Sequence, residues 1–192
     1  MRYSIIIPIY DPEGKNDALT SKCILSVLKN SMEHEYEIIP VQHTTLNYST
    51  AVNVGLKRAT GDFLIILSND VEILDPRWLE KYTVEDSISS FCQYTFYITG
   101  EPIPDASCWG MSRIVFNRIG LLDEQFKDGY GYEDNDYWMR CKENNISFVN
   151  VHADLIHHEN QTYKTYFSAE KNAMTQRNNE LFLKKWNHKL PK

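Results

Sequence analysis

Apolar residues along this chain fall into short unbroken runs more often than into strict alternation. Residues 63–67, Phe-Leu-Ile-Ile-Leu, have no polar position, which predicts a strand buried on both faces in the middle of an α/β sheet. Residues 4–8, Ser-Ile-Ile-Ile-Pro, predict a second buried strand, stopped by its proline. Asn16 or Asp17 can cap the helix that follows, whose apolar positions Leu19, Cys23, Val27 and Leu28 share one face and which ends near Asn30. A strand over 37–41 comes next, and a right-handed crossover makes it parallel to the first. After a loop over 42–49, Val52, Leu56 and Ala59 recur at helical spacing with Asn53 one residue along, and this helix ends at Thr60-Gly61. Three successive strand units of this kind predict a nucleotide-binding type of α/β sheet.

Beyond Asp70 the pattern changes. Asp75-Pro76 begins a short helix through Trp78 and Leu79, 89–99 is rich in Phe, Tyr, Thr and Ile as a strand would be, and 100–105, with Pro102 and Pro104, reads as a loop. Ser112 caps a helix over 113–119 that Gly120 terminates. Past Gly129-Tyr130-Gly131-Tyr132, a helix opens at Glu133 and ends near Asn144-Asn145, followed by a strand over 147–151. Leu155-Ile156 leads to the pair His157-His158, and 168–186 is predicted helical, with Leu181, Leu183 and Trp186 for packing.

At 192 residues with 42% hydrophobic content, one domain with a substantial core is expected. Lys and Arg number 20 against 26 Asp and Glu, a net charge of -6, so no basic field exists for a nucleic-acid partner. Such a protein would handle phosphates through a metal or backbone amides. Cys23, Cys92, Cys108 and Cys141 form no CxxC pair, which argues against a zinc ribbon or disulfide framework and for reduced, mostly buried thiols. The chain shows no signal-type or transmembrane apolar segment, and the expectation is a soluble, cytoplasmic protein.

Two polar clusters stand out. Ser68-Asn69-Asp70 breaks the central apolar run at what would be the strand's carboxyl end, where open α/β sheets bind ligands. A hard cation could sit there, though turn chemistry alone also accounts for such a tripeptide. Glu133-Asp134-Asn135-Asp136 places three carboxylates in a first helical turn, more than capping requires.

Taken together, the stretch 4–10, Asn53-Val54-Gly55 before Ala59-Thr60-Gly61-Asp62-Phe63, Leu67-Ser68-Asn69-Asp70, Gly120-Leu121-Leu122-Asp123-Glu124, Tyr132-Glu133-Asp134-Asn135-Asp136 and Ile156-His157-His158 resemble, in order, the inverting family 2 glycosyltransferases. The resemblance covers nearly the whole chain and implies a GT-A fold, a mostly parallel central sheet flanked by helices. Within it, 1–72 would form a Rossmann-like half binding the nucleotide sugar, and 73–192 an acceptor and catalytic half. It implies that Asp70 holds a divalent cation on the diphosphate, with Ser68 replacing the first acid of the family's DXD motif. His157 would be the second ligand and His158 its alternative. Such mixed ligation suits Mn²⁺ better than Mg²⁺. Pro8, Tyr10 and Asp11 match base and ribose contacts, Gln42 stands where relatives often carry an acid, and Asn53, Ser68 and Asn69 complete the nucleotide-binding set.

The resemblance assigns the general base to Asp134, with Glu133 and Asp136 in support; like charges would raise its pKa and a cation would lower it. The donor it implies is a UDP-sugar first, a dTDP-deoxysugar such as dTDP-rhamnose second, and the acceptor a glycan or other hydroxyl compound. Two rivals remain open: a sugar nucleotidyltransferase, although 8–13 lacks the glycines and basic charge of its phosphate loop, and a non-catalytic sugar-nucleotide or glycan-binding module of a longer polypeptide.

Overall fold

The computed structural model describes residues 1–43, 47–127, 131–158, 161–166 and 171–190. Part of the loop expected over 42–49, the Gly129-Tyr130 pair and the start of the helix expected at 168 lie outside the described residues. The first half follows the predicted order: β1 (Arg2–Ile9), α1 (Asp17–Asn30), β2 (Glu35–Gln42), α2 (Tyr48–Arg58) and β3 (Phe63–Leu67). Next come β4 (Val71–Ile73), α3 (Trp78–Lys81), β5 (Ser87–Ser90), β6 (Gln93–Thr95), β7 (Pro102–Pro104), β8 (Cys108–Ser112) and α4 (Arg113–Ile119). The chain continues through α5 (Glu133–Glu143), β9 (Ser147–Asn150), β10 (Leu155–His157), α6 (Gln161–Tyr166) and α7 (Lys171–Trp186).

Six strands form the central sheet in the order β2-β1-β3-β8-β5-β9. All run parallel except β8, which is antiparallel to both neighbours. Alternation of side chains lets the middle strands feed two cores at once. Leu64 and Ile66 of β3 join Ile6, Val52, Leu56, Tyr137, Trp138 and Phe182 on one face. Phe63, Ile65 and Leu67 join Ile5, Ile7, Cys23, Val27 and Trp78 on the other. Helix α2 lies so close to β1 that a Cβ on Gly55 would stand 2.2 Å from Ile6 Cγ2.

Several elements depart from expectation. Strand β1 runs through Pro8, because its β3 neighbour pairs only as far as Ile6 and no ladder on that side needs the missing N–H. The single strand expected over 89–99 is two: β5 belongs to the central sheet, whereas β6 turns away to pair with β7 in a separate ribbon. The Pro102–Pro104 loop is therefore a strand, tolerated because a two-stranded ribbon has an open edge. Strand β8 was not foreseen. In α7 Trp186 and Leu181 pack on the core as expected, joined by Phe182, whereas Leu183 faces solvent, and Leu28 of α1 is likewise exposed. All four cysteines are free, three of them buried.

Candidate active site

The carboxyl end of β3 leads through Ser68 and Asn69 to Asp70, which is buried. Two three-residue strands then decide what Asp70 meets. Strand β4 pairs antiparallel with β10 so that Val71 stands opposite His157, and the His158 N–H donates to the Asp70 carbonyl at 2.9 Å. Side chains alternate along β10, so the two histidines diverge. His157 Nε2 lies 3.4 Å from Asp70 Oδ1, whereas His158 Nε2 lies 3.5 Å from Glu72 Oε2, a carboxylate already paired with Lys22. The Gln161 N–H at the start of α6 donates to Asp70 Oδ2 at 3.2 Å. Burial pushes the Asp70 carboxyl upward, but the His157 hydrogen bond and charge and the Gln161 amide outweigh it, leaving its pKa below the ordinary value.

The pair Asp70 and His157 fits a cation that prefers mixed oxygen and nitrogen ligation. Adjacent ligands about 2.1 Å from one octahedral ion are separated by roughly 3 Å, close to the spacing here. Among the described residues no cluster of three or more His, Cys, Asp and Glu side chains could hold a metal, so oxygens from phosphate or water would have to complete the shell.

The second cluster is joined to the first through residues 105–107. The Ser68 N–H donates to the Ser107 carbonyl at 2.7 Å, and Ser107 donates from both its N–H and its hydroxyl to Asp105 Oδ1. Asp105 in turn acts electrostatically on Asp134, which with Glu133 opens helix α5 behind Gly131 and Tyr132, both at positive φ. Tyr48 places its hydroxyl 3.4 Å from the Ala106 carbonyl, within the field of Glu133, Asp134 and Asp105. Both acids of the pair titrate above the ordinary carboxylate range. Burial is the larger cause for each, followed by the Asp134 charge for Glu133, and by Asp105 for Asp134 against the opposing Asn135 amide. Burial was absent from the sequence argument, which weighed only charges.

Asp136 lies elsewhere. It is fully buried, with Oδ1 accepting from Trp186 Nε1 at 2.8 Å and Lys185 Nζ at 2.7 Å, and Oδ2 from Arg140 Nε at 3.1 Å. These contacts tie α5 to α7. Asn53 is also a tether: its amide donates to the Leu122 carbonyl and Glu124 and accepts from the Leu122 N–H.

Around the loop after β1, Asp11 is buried and accepts from the Asn16 N–H and from the Tyr166 hydroxyl. Tyr10 packs between His43, at 5.5 Å, and the edge of Tyr166, also at 5.5 Å. Pro8 is buried in the sheet beside Val41, and Gln42 is exposed at the end of β2. Asn69 is buried and donates to Thr20 on α1 at 2.8 Å. The residues that sequence reasoning missed here are His43, Tyr48, Asp105, Gln161 and Tyr166; none sits in a motif, and only the adjacency of His43 to Gln42 offered a signal.

Asp11, Asp70, Asp105, Glu133 and Asp134 thus line the carboxyl edge of the sheet, and a diphosphate placed there would meet repulsion without a cation. Solved structures share this architecture. The chain matches a variant of Drosophila β1,4-galactosyltransferase 7 crystallised with manganese, UDP-Gal and xylobiose, at a TM-score of 0.68 and 12% identity, covering 92% of this chain and 79% of that one. The chain has the GT-A fold. GalNAc-T7 with UDP, GalNAc and Mn²⁺ matches at a TM-score of 0.64 and 12% identity, over 97% of this chain and 49% of that one. The mannosyltransferase PcManGT of Pyrobaculum calidifontis, with GDP-Man and Mn²⁺, matches at 0.56 and 12% identity, over 77% and 54%. Neither a family model nor a curated protein sequence matches this chain. At such identities the likeness is one of fold. Among the described residues no helix is long and apolar enough to cross a membrane.

Proposed function

We propose that this GT-A protein is a metal-dependent inverting glycosyltransferase that moves a sugar from a nucleotide diphosphate sugar to a hydroxyl acceptor. A UDP-sugar is the favoured donor and a dTDP-rhamnose type the second choice. The observation that carries the reading is the convergence of Asp70 and His157, remote in sequence, to 3.4 Å at the carboxyl end of the central strand. The manganese and nucleotide or nucleotide-sugar complexes of the three structural neighbours support it.

In this reading Asp70 and His157 hold a divalent cation, Mn²⁺ in preference to Mg²⁺, which supplies Lewis-acid neutralisation of the diphosphate. Tyr10, flanked by His43, offers a ring to the base, and Asp11 accepts hydrogen bonds from base or ribose. Asp134 takes the proton of the acceptor hydroxyl. The acceptor oxygen then bonds to the anomeric carbon as the carbon–oxygen bond to the diphosphate breaks and its electron pair leaves with phosphate. Such base assistance contributes about 10²–10⁴-fold. The raised pKa of Asp134 makes it a stronger base than an exposed aspartate. Glu133, raised by burial and by the Asp134 charge, stands beside it as the supporting acid. Asp136 supports the site indirectly, by fixing the turn of α5 on which both acids stand.

The test is a panel of nucleotide sugars with Mn²⁺, scored by nucleoside diphosphate release, beside calorimetry with nucleotide. Asp134→Asn should bind donor and lose transfer, and Asp70→Ala should lose metal-dependent donor binding. Full activity in Asp134→Asn overturns the base assignment, and donor binding without turnover of any kind favours a non-catalytic module.

A further inference from the structure

A transferase needs an acceptor as well as a donor, and the chemical class of that acceptor, which rests on the transferase reading, is also written into the site. All four tryptophans are buried, Trp109 completely. Two tyrosines of the β6–β7 ribbon segment are not: Tyr94 is 39% exposed and Tyr97 70%. The ribbon is anchored by Ile103, buried and directly opposite Tyr94 in the register. The Tyr94 hydroxyl accepts from Asn135 Nδ2 at 3.0 Å. Asn135 is itself buried and comes directly after Asp134, so the tether sits on the residue next to the base. The charges of Asp134, Asp105 and Glu133 all reach the Tyr94 hydroxyl.

An aromatic ring pinned at its polar end and partly open to solvent, beside a row of carboxylates, offers two recognition elements at once. The ring takes a flat apolar surface, and the carboxylates take hydroxyl donors. A sugar ring presents both, with C–H groups on its face and hydroxyls at its rim; a serine side chain or a simple lipid alcohol presents only the hydroxyl. We infer that Tyr94 is the acceptor platform and that the acceptor is a saccharide, its ring resting on Tyr94 while one hydroxyl meets Asp134. Asn135 is a positioning residue that fixes platform and base relative to each other.

The experiment follows nucleoside diphosphate release from UDP-glucose, UDP-galactose, UDP-GlcNAc, UDP-GalNAc and dTDP-rhamnose with Mn²⁺. Methyl glycosides and disaccharides are the saccharide acceptors, and glycerol and a serine-containing peptide are the other alcohols. Saccharides alone should raise release above donor hydrolysis. Tyr94→Ala should lower the ratio of transfer to hydrolysis by roughly tenfold, chiefly through acceptor KM, the size of one aromatic contact. Tyr94→Phe, which keeps the ring, should restore that ratio to within about threefold. An unchanged ratio in Tyr94→Ala, or equal stimulation by glycerol or the peptide, overturns the inference. Turnover without saccharide stimulation removes the platform and leaves the transferase reading standing, whereas no turnover of any donor removes both.

Discussion

Two aspartates two positions apart, Asp134 and Asp136, are given opposite work by the fold, and substituting each by Asn separates them. Asp136 is fully buried and accepts three hydrogen bonds, from Trp186, Lys185 and Arg140. Breaking a buried charge network by removing one partner costs about 3–5 kcal/mol. Asn keeps one acceptor oxygen, and Lys185 is 34% exposed and retains Asp123 at 2.7 Å, so the lower end, about 3 kcal/mol, applies. In a protein of this size that lowers Tm by roughly 6–12 °C. For Asp134 the sign reverses. Its folded pKa lies above the unfolded one, so the stability it contributes is present at low pH and is lost as pH rises through the folded value. At pH 7 its charge is a liability, and Asp134→Asn should leave Tm unchanged or higher while abolishing transfer. Thermal unfolding by circular dichroism at pH 7, paired with nucleotide release, reads both. An Asp136→Asn protein with wild-type Tm, or an Asp134→Asn protein destabilised as much as Asp136→Asn, would refute the division.

The same electrostatics set the pH profile. The acidic limb of kcat/KM should lie above pH ~4, the ordinary carboxylate value, and Asp105→Asn should move it down by removing a charge that raises Asp134; a limb unmoved by that change would count against the contact. Tyr166→Phe releases the Asp11 oxygen that its hydroxyl now occupies, so UDP binding with Mn²⁺ should tighten by about fivefold, the worth of one hydrogen bond; weaker binding in titration calorimetry would show that Tyr166 helps the nucleotide instead. Gly55→Ala puts a Cβ 2.2 Å from Ile6 Cγ2 in the fully packed core, and the urea midpoint should drop by an amount equal to about 2–3 kcal/mol. A midpoint equal to wild type would mean that α2 can move off β1.

The sequence alone determined the elements whose burial is written locally. The runs at 5–7 and 63–67 have no polar residue because each strand faces two cores, and the stripe of Cys23 and Val27 faces one. The Ser112 cap and Gly120 stop, with φ of 82° at Gly120, were equally legible, since both answer to backbone chemistry within a few residues. Strand β8 was not, because Cys-Trp-Gly-Met-Ser becomes a strand only between β3 and β5, which supply its ladder. Strands β4 and β10, three residues each, exist only as each other's partners, and their register decides that His157 rather than His158 meets Asp70. Residue types on a line can nominate a carboxylate and an imidazole. Which atoms end 3.4 Å apart, and that Asp105 joins the pair at Glu133 and Asp134, depend on pairings between distant segments, whose free energy no local pattern encodes.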